Sequence, residues 1–575
     1  MLNVRSALEA RFPEFFERHT RIGPVLLRFL GFLFHESRLQ HFEQEHPHSR
    51  GLDFVESVLR FFDFSLRTRD DERDRIPSEG RVVVVANHPI GSLDGLALLK
   101  LIADVRPDVK VVANDLLLAI EPLQPLLLPV NNMDGNTPKA NLKNIKAHLE
   151  ADGAVIIFPA GEVSRFSPQG VRDGEWQSGF LKIARSTKSP ILPIFVAGRN
   201  SVFFYSLSFL AKPLATLWLV REMFKQCHRT VDARVGQLIP VEHYNRTEPK
   251  KVTAQRFKRH VYRLAKGKKP LFQGEQTIAP AENRVLLARE IDSCELIGTT
   301  PRGREIRLYR ARPGDCLIRE LGRLRELSFR AVGEGTGLPR DVDAYDYHYE
   351  HLLLWDPIER QVAGGYRVAD LAKVLPTEGL HGLYASTLFN LSGVRQRELK
   401  RSLELGRSFI QHAYRDRYSL DELWSGIGAL LVQRPHIKLL YGPVSVSKDL
   451  GRDCLQALVL FYSHYFPPLW PNATPVNPYY GHLASGSSSH PVLENGDYKK
   501  DFKVLKRFLK DRSFALPPLY KYYTEVAEVG GVGFSGFNVD PKFKDCVDGL
   551  VVVDLSYLKN SRRKRYMKQG DSRES

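Results

Sequence analysis

The sequence predicts an α/β chain of two domains, and three observations carry that prediction. At 575 residues the chain is too long for one ordinary core. From Arg81 onward, short valine- and isoleucine-rich segments alternate with helix-patterned ones, the mark of a largely parallel sheet under covering helices. After a basic stretch at 247–270 the pattern restarts as helix, hairpin, strand and helix, which suits a mixed-sheet α+β domain. The hydrophobic content of 43% and charged content of 26% are those of a globular protein.

Residues 1–75 read as helices, with Val25, Leu26, Phe29, Leu30, Leu33 and Phe34 forming an apolar stripe for core packing or a membrane interface. VVVVAN from Val82 reads as a strand buried on both faces, LALLKLIADV as a helix and VKVVAN from Val109 as a second strand. A proline-broken apolar stretch follows. KANLKNIKAHLE is then a helix with Leu142, Ile145 and Leu149 at helical spacing, ending at Gly153. AVIIFPAG is a strand, GFLKIARSTKSP a helix ended by Pro190, and ILPIFVAG a strand. Residues 202–220 read as two apolar pieces around a hinge at Lys212 and Pro213, suited to a membrane interface or to burial. The domain boundary falls near 270–300.

In the second half, Leu317, Leu321 and Leu324 lie on one helix face. HLLLWDPIERQVAGGYRV is a hairpin turning at Asp356-Pro357. LYASTLF, SLELGRSFI and KLLYGPVSVS read as strands and CLQALVLFYSHYF as a helix. Residues 480–560 match no motif, and the tail from Ser561 is basic, polar and expected to be disordered.

The net charge of +17 implies an anionic partner: nucleic acid, an anionic membrane surface or an acidic carrier protein. The basic residues are spread along the chain without a nucleic-acid motif, so no nucleic-acid partner is expected. Five scattered cysteines with no CxxC argue against a disulfide framework and give no metal spacing. The first twenty residues lack the apolar core of a secretory signal. No uninterrupted apolar run reaches the roughly 18 residues of a spanning helix.

The chemistry centres on VVVVANHPIGSLDG. A strand ending in a tight loop places His88 and Asp94 at the carboxyl edge of a parallel sheet, where ligands bind in such folds. His88 suits a general base, and a carboxylate beside it fixes its tautomer. Taken alone, the same residues also fit a loop histidine and a helix-capping Asp94.

Taken with two further blocks, the stretch resembles the glycerolipid acyltransferases typified by the lysophosphatidate acyltransferases. Their NHxSxxD block corresponds to Asn87 through Asp94, with one extra residue that Gly91 accommodates. The NHPxGxxDG form resembles a bacterial "hemolysin-like" branch. FPEGTRS corresponds to Phe158 through Arg165 with the glutamate moved across the glycine, and a fourth block to Ile191 through Ile194. The resemblance implies O-acyl transfer from a thioester, with His88 as base and Asp94 orienting it. It places Asn87, Gly91, Gly161, Glu162, Ser164 and Arg165 near the acceptor's polar head.

Residues 310–480 resemble GNAT-like N-acyltransferases, among them those that acylate ornithine, on the LELGRSFI block, the GGYRV hairpin and the Tyr441–Ser445 segment. Glu404 would take the amine's proton. Arg407 would hold the acceptor's carboxylate or pair with Glu404. Together the halves resemble the bifunctional ornithine lipid synthases.

The implied fold class is an N-terminal glycerolipid-acyltransferase-like αβ domain and a C-terminal GNAT-like mixed-sheet domain. The implied layout is a helical membrane-associating region at 1–75, the O-acyltransferase at 76–270, a linker at 271–300, the N-acyltransferase at 301–560 and a tail. The implied partners are acyl carrier protein as donor co-substrate, a membrane surface, and ornithine or a similar amino acid. No metal or other cofactor is expected, and the implied location is the cytoplasmic face of a bacterial inner membrane. Three alternatives stay open: another acceptor such as glycine, a lysophospholipid acceptor for the first domain, and a hemolysin-like membrane-binding protein without catalysis.

Overall fold

The computed structural model describes residues 35–130, 139–168, 170–210, 212–244, 248–416, 418–479, 493 and 496–567. The apolar stripe at 25–34 lies outside the described residues. The chain divides into two units, Met1–Thr277 and Ile278–Ser575.

In the first unit, helices α1 (Glu36–Glu45) and α2 (Gly51–Phe61) lead into strand β1 (Phe64–Arg67). Next come β2 (Val82–Ala86), α3 (Leu93–Ala103), β3 (Val109–Asn114), β4 (Leu127–Val130), α4 (Lys139–Glu150) and β5 (Ala154–Ile157). A small hairpin, β6 (Arg165–Ser167) and β7 (Gly170–Arg172), is followed by α5 (Gly179–Thr187) and β8 (Ile191–Val196). Helices α6 (Val202–Leu210) and α7 (Lys212–Lys225), β9 (Arg229–Val235) and α8 (Lys250–Leu264) complete the unit.

The seven strands run β1-β9-β8-β2-β5-β3-β4. Every neighbouring pair is parallel except β8 with β9. β2 is the middle strand, and its residues alternate between two cores as the two-residue period of a strand requires. Val82, Val84 and Ala86 pack with Val55, Leu98 and Ile102 on one face. Val83 and Val85 pack with Ile145, Phe180 and Phe257 on the other. Four consecutive valines are therefore all buried, as a sheet covered on both faces demands.

The reading of 1–75 as helices needs correction at β1. Its four residues pair with β9, with Phe64 buried. A segment this short carries too little periodicity to show itself in sequence. Its place is set by the strand beside it. Val202–Leu210 and Lys212–Lys225 are two helices, and among the described residues no helix is long and apolar enough to cross a membrane.

The second unit begins with α9 (Arg284–Asp292) and β10 (Glu295–Thr299). Both lie in the expected 271–300 linker, and Leu287 and Ile291 are buried, so that stretch is not a free connector. Then follow β11 (Glu305–Arg310), α10 (Cys316–Arg330), β12 (Glu350–Asp356), β13 (Gln361–Asp370), α11 (Leu371–Glu378), β14 (Phe389–Asn390) and β15 (Ser402–Ile410). After α12 (Ser419–Gln433) come β16 (Leu439–Val446), α13 (Arg452–Tyr465), β17 (Thr474–Pro475), α14 (Tyr498–Asp511) and α15 (Pro518–Glu525). The last elements are β18 (Val532–Asp540), β19 (Cys546–Asp554) and α16 (Asn560–Tyr566).

Its eight-stranded sheet runs β10-β11-β12-β13-β15-β16-β19-β18 and is antiparallel except between β15 and β16. Those two pair only over Ser402–Glu404 and Leu439–Tyr441 and then separate. The expected strand LYASTLF is instead a 3-10 turn, Tyr384–Thr387, followed by the two residues of β14. The Ala385 N–H donates to Glu404 rather than to a ladder. The unread 480–560 region supplies β18 and β19, one side of the sheet. The tail expected to be disordered from Ser561 is helical through Tyr566, whose ring is buried in the core that Trp424 and Ile427 of α12 share.

Candidate active sites

In the first unit, the loop leaving β2 carries His88 and the N-terminus of α3 carries Asp94. His88 Nδ1 lies 3.2 Å from Asp94 Oδ2. Asp94 is 1% exposed. Its carboxylate accepts from the N–H groups of Ile90 (2.8 Å), Gly91, Ser92 and Gly95 (3.0 Å each). It therefore both gathers N–H groups at the start of α3 and faces the imidazole.

Burial disfavours the charged form of His88, but the Asp94 carboxylate, with Asp173 adding to it, outweighs burial and raises the imidazole above its ordinary pKa. Burial likewise works against Asp94 ionisation, yet His88 and the backbone N–H donors hold its pKa below the usual value. Phe158, at the end of β5, stacks on the His88 ring at 4.2 Å.

Gly91 has φ +91°, and a Cβ there would come within 2.4 Å of Val163. This is how the loop absorbs its extra residue. Asn87 and Ser164, expected near the acceptor's polar head, are both buried and turned inward. The Asn87 amide donates to Val196 O and accepts from Val196 N, 2.8 Å each, clamping the loop to β8. Ser164 N donates to His88 O at 2.9 Å, and its hydroxyl donates to Asp173 at 2.5 Å. Gly161 forms the turn after β5 with φ +66°. Glu162 accepts two hydrogen bonds from Arg165, which also reaches Ser208 of α6. The loop arginine is thus neutralised within its own block.

Sequence reasoning missed Asp173. Its carboxylate accepts from His88 N (3.3 Å), Ser164 Oγ and Trp176 Nε1 (2.8 Å), joining the His88 loop to the segment after β7. It stands fifteen residues or fewer from every member of the third block, but no spacing in that block announces it.

In the second unit Glu404 is 1% exposed, at the point where β15 and β16 part. Its oxygens accept from Ala385 N (3.0 Å) and Tyr441 Oη (2.8 Å). Burial raises its pKa, the hydrogen bonds offsetting this only in part. Arg407 does not pair with Glu404. It sits in a bulge of β15 at φ +48°, opposite the β13 irregularity between Gly365 and Arg367. Its guanidinium faces Asp341 at 2.9 Å and Asp343 at 3.5 Å and lies over the ring of Tyr384.

Behind it, Arg367 contacts Asp343 (2.5 Å) and Asp346 (3.2 Å), and Arg325 forks onto Asp346 with two bonds of 2.9 Å. Three arginines and three aspartates thus balance one another in the interior, as buried charges must. The Asp341-x-Asp343-x-x-Asp346 spacing was the available signal for this network.

Residues 14–265 match the family model described as acyltransferase, and residues 324–425 the acetyltransferase (GNAT) domain. The chain is 31% identical over 271 residues to the lyso-glycine lipid O-acyltransferase of Bacteroides thetaiotaomicron, covering 46% of this chain and 97% of that protein. It is 28% identical to the glycine N(alpha)-acyltransferase of the same organism, covering 51% of this chain and 90% of that protein. It is 27% identical to the L-ornithine N(alpha)-acyltransferase of Agrobacterium fabrum, covering 41% and 74% respectively. The chain is an acyltransferase enzyme with relatives of both the O-acylating and the N-acylating kind, and it belongs to the acyltransferase family that includes the bacterial lyso-glycine lipid O-acyltransferases.

Proposed function

We propose that the chain is a bifunctional amino-acid lipid synthase. The second unit N-acylates an amino acid with a 3-hydroxyacyl group from an acyl-carrier-protein thioester. The first unit then O-acylates that 3-hydroxyl. The observation that carries this reading is the presence of two separate clusters of titratable side chains, one in each unit: His88 with Asp94 just after β2, and Glu404 where β15 and β16 part.

In the second unit Glu404 takes the proton of the acceptor ammonium, directly or through water. The amine attacks the thioester carbonyl, the C–N bond forms and the C–S bond breaks. Its raised pKa suits this work near neutral pH. In the first unit His88 Nε2 takes the hydroxyl proton as the oxygen attacks a second thioester. Asp94 stabilises the imidazolium, which then returns the proton to the departing thiolate. No covalent enzyme intermediate is required.

L-Ornithine is the acceptor that the sequence resemblance implies. Glycine is the second reading. It is favoured because an O-acyltransferase and an N-acyltransferase from one organism, both named for glycine, each match about half of this chain. The working site is the surface of a membrane, where the two-chain product belongs.

Lipid analysis of a host lacking aminolipids tests the proposal. Wild type should yield a two-chain aminolipid, His88→Ala the one-chain intermediate, and Glu404→Ala neither. The head group of the product decides between ornithine and glycine. A change confined to phospholipid acyl chains would overturn the proposal.

A further inference from the structure

The hairpin β6–β7 and helix α8 enclose a cleft of about 260 Å³ lined by Ser167, Arg172, Asp173, Gln255, Lys258 and Arg259. Its lining carries three cations against the single buried carboxylate of Asp173. Arg172 lies over the ring of Tyr262 at 5.1 Å, and among the described residues no carboxylate pairs with Arg172 or with the exposed Arg259. Lys258 donates to the carbonyl oxygens of Asp173 (2.7 Å) and Gly174 (2.8 Å), which carry no charge. The nearby carboxylates have other partners: Asp173 turns to Ser164, Trp176 and His88, Glu162 to Arg165, and Glu175 to Lys251. Three cations gathered with their neighbouring acids occupied repel one another, and an anion between them relieves that repulsion.

The cleft adjoins the catalytic loop, because the Asp173 that lines it also accepts from His88 N. The arginine of the third block, expected to meet the acceptor's head, is neutralised by Glu162. Any charge on the head group must be met by other cations.

We propose that this cleft is the carboxylate subsite for the acceptor of the O-acyl transfer, holding the free α-carboxylate of an N-(3-hydroxyacyl) amino acid. The inference rests on the function proposed above. In such an acceptor the carboxyl carbon stands six bonds from the attacked hydroxyl, about 7 Å when extended. The cleft wall begins at Asp173, one hydrogen bond from the backbone of the His88 loop, and the proposed acceptor would span that interval. The phosphate of a thioester donor is separated from its sulfur by a much longer arm and has no need of a cation so near the base.

The test uses the full chain and two acceptors, an N-(3-hydroxyacyl) amino acid and its methyl ester, with wild type, Arg172→Gln, Arg259→Gln and the double variant. Wild type should favour the free acid in kcat/KM by about tenfold or more, the scale of a charge-assisted hydrogen bond, chiefly through KM. Each single substitution should cut that ratio severalfold, and the double variant should bring it near one. Arg259 is exposed, so its variant keeps the test open if Arg172→Gln fails to fold. Equal use of acid and ester by wild type overturns the subsite while leaving the proposed function intact. So does a ratio preserved in the double variant, or a rise confined to the KM for the acyl thioester, which assigns the cleft to the donor. Acylation of lysophospholipid but of neither amino-acid acceptor overturns the proposed function itself.

Discussion

Replacing Asp94 with Asn separates orientation of His88 from its protonation. Oδ2 of Asp94 faces both His88 Nδ1 and the Ile90 N–H, while Oδ1 serves Gly91, Ser92 and Gly95. The asparagine oxygen keeps the three bonds at Oδ1. Its NH2 then opposes the Ile90 N–H and donates toward His88 Nδ1, which holds the imidazole proton on Nε2, the wrong nitrogen for a base.

One buried N–H left without an acceptor costs about 2 kcal/mol, or roughly 4–8 °C in the Tm of the first unit. The fold should survive. The rate should not: an inverted tautomer and an unstabilised imidazolium lower kcat by about 10³–10⁴-fold. The pH profile adds a second readout. In wild type the acid limb of kcat/KM lies above pH 6.5, because Asp94 raises His88 against burial and only the neutral ring acts as base. Without that carboxylate burial prevails, so the limb moves below 6.5 even as the plateau falls. The assay is O-acylation of a supplied one-chain lipid across pH 5–9. N-acylation by the same chain and circular dichroism serve as checks on folding. A variant within about tenfold of wild type, or a limb that does not move, would refute the assignment of Asp94.

Glu404→Gln keeps a side chain able to bond Tyr441 and Ala385 but removes the base; N-acylation should fall about 100-fold or more while O-acylation of supplied intermediate persists. Gly91→Ala forces a Cβ at φ +91° to within 2.4 Å of Val163, so O-acylation should be lost with a Tm decrease of several degrees; a fully active variant would remove the glycine from the argument. Asn87→Ala deletes two buried hydrogen bonds to Val196 and should cost about 2–4 kcal/mol by denaturant melts, with kcat reduced and the acceptor KM little altered. A raised KM with unchanged kcat would return Asn87 to the substrate.

The parts legible in sequence were those with periodicity or a dense local block. VVVVAN, KANLKNIKAHLE and the Asp356-Pro357 hairpin declare themselves because burial imposes a two- or 3.6-residue period on apolar positions. His88 and Asp94 share one loop, so their pairing survives translation into sequence. Asp173 and Tyr441 do not: each reaches its partner only after the sheet has formed, 85 residues from His88 in one case and 37 from Glu404 in the other. β1 and β19 are placed by neighbouring strands rather than by their own composition. The role expected of Arg165 changed for an electrostatic reason that sequence showed in part, since Glu162 stands three residues away on the same turn.

On the proposed function, the acceptors account for the different surroundings of the two centres, His88 beside a carboxylate and Glu404 in a buried neutral site. An alcohol holds its proton far above pH 7, so the proton must move as the bond forms. The base then needs a fixed direction and a place for the positive charge it acquires. Asp94 supplies both, and its four N–H donors keep it anionic despite near-complete burial. An α-ammonium group loses its proton near pH 8, so the amine requires only an acceptor of suitable basicity, reached directly or through water. For that, removal from solvent is enough: Glu404 has no cation bonded to it, and burial alone lifts its pKa. The separation of Arg407 from Glu404 belongs to the same logic. An ion pair between them would have held the glutamate's pKa down, whereas Arg407 is paired instead with Asp341 and Asp343.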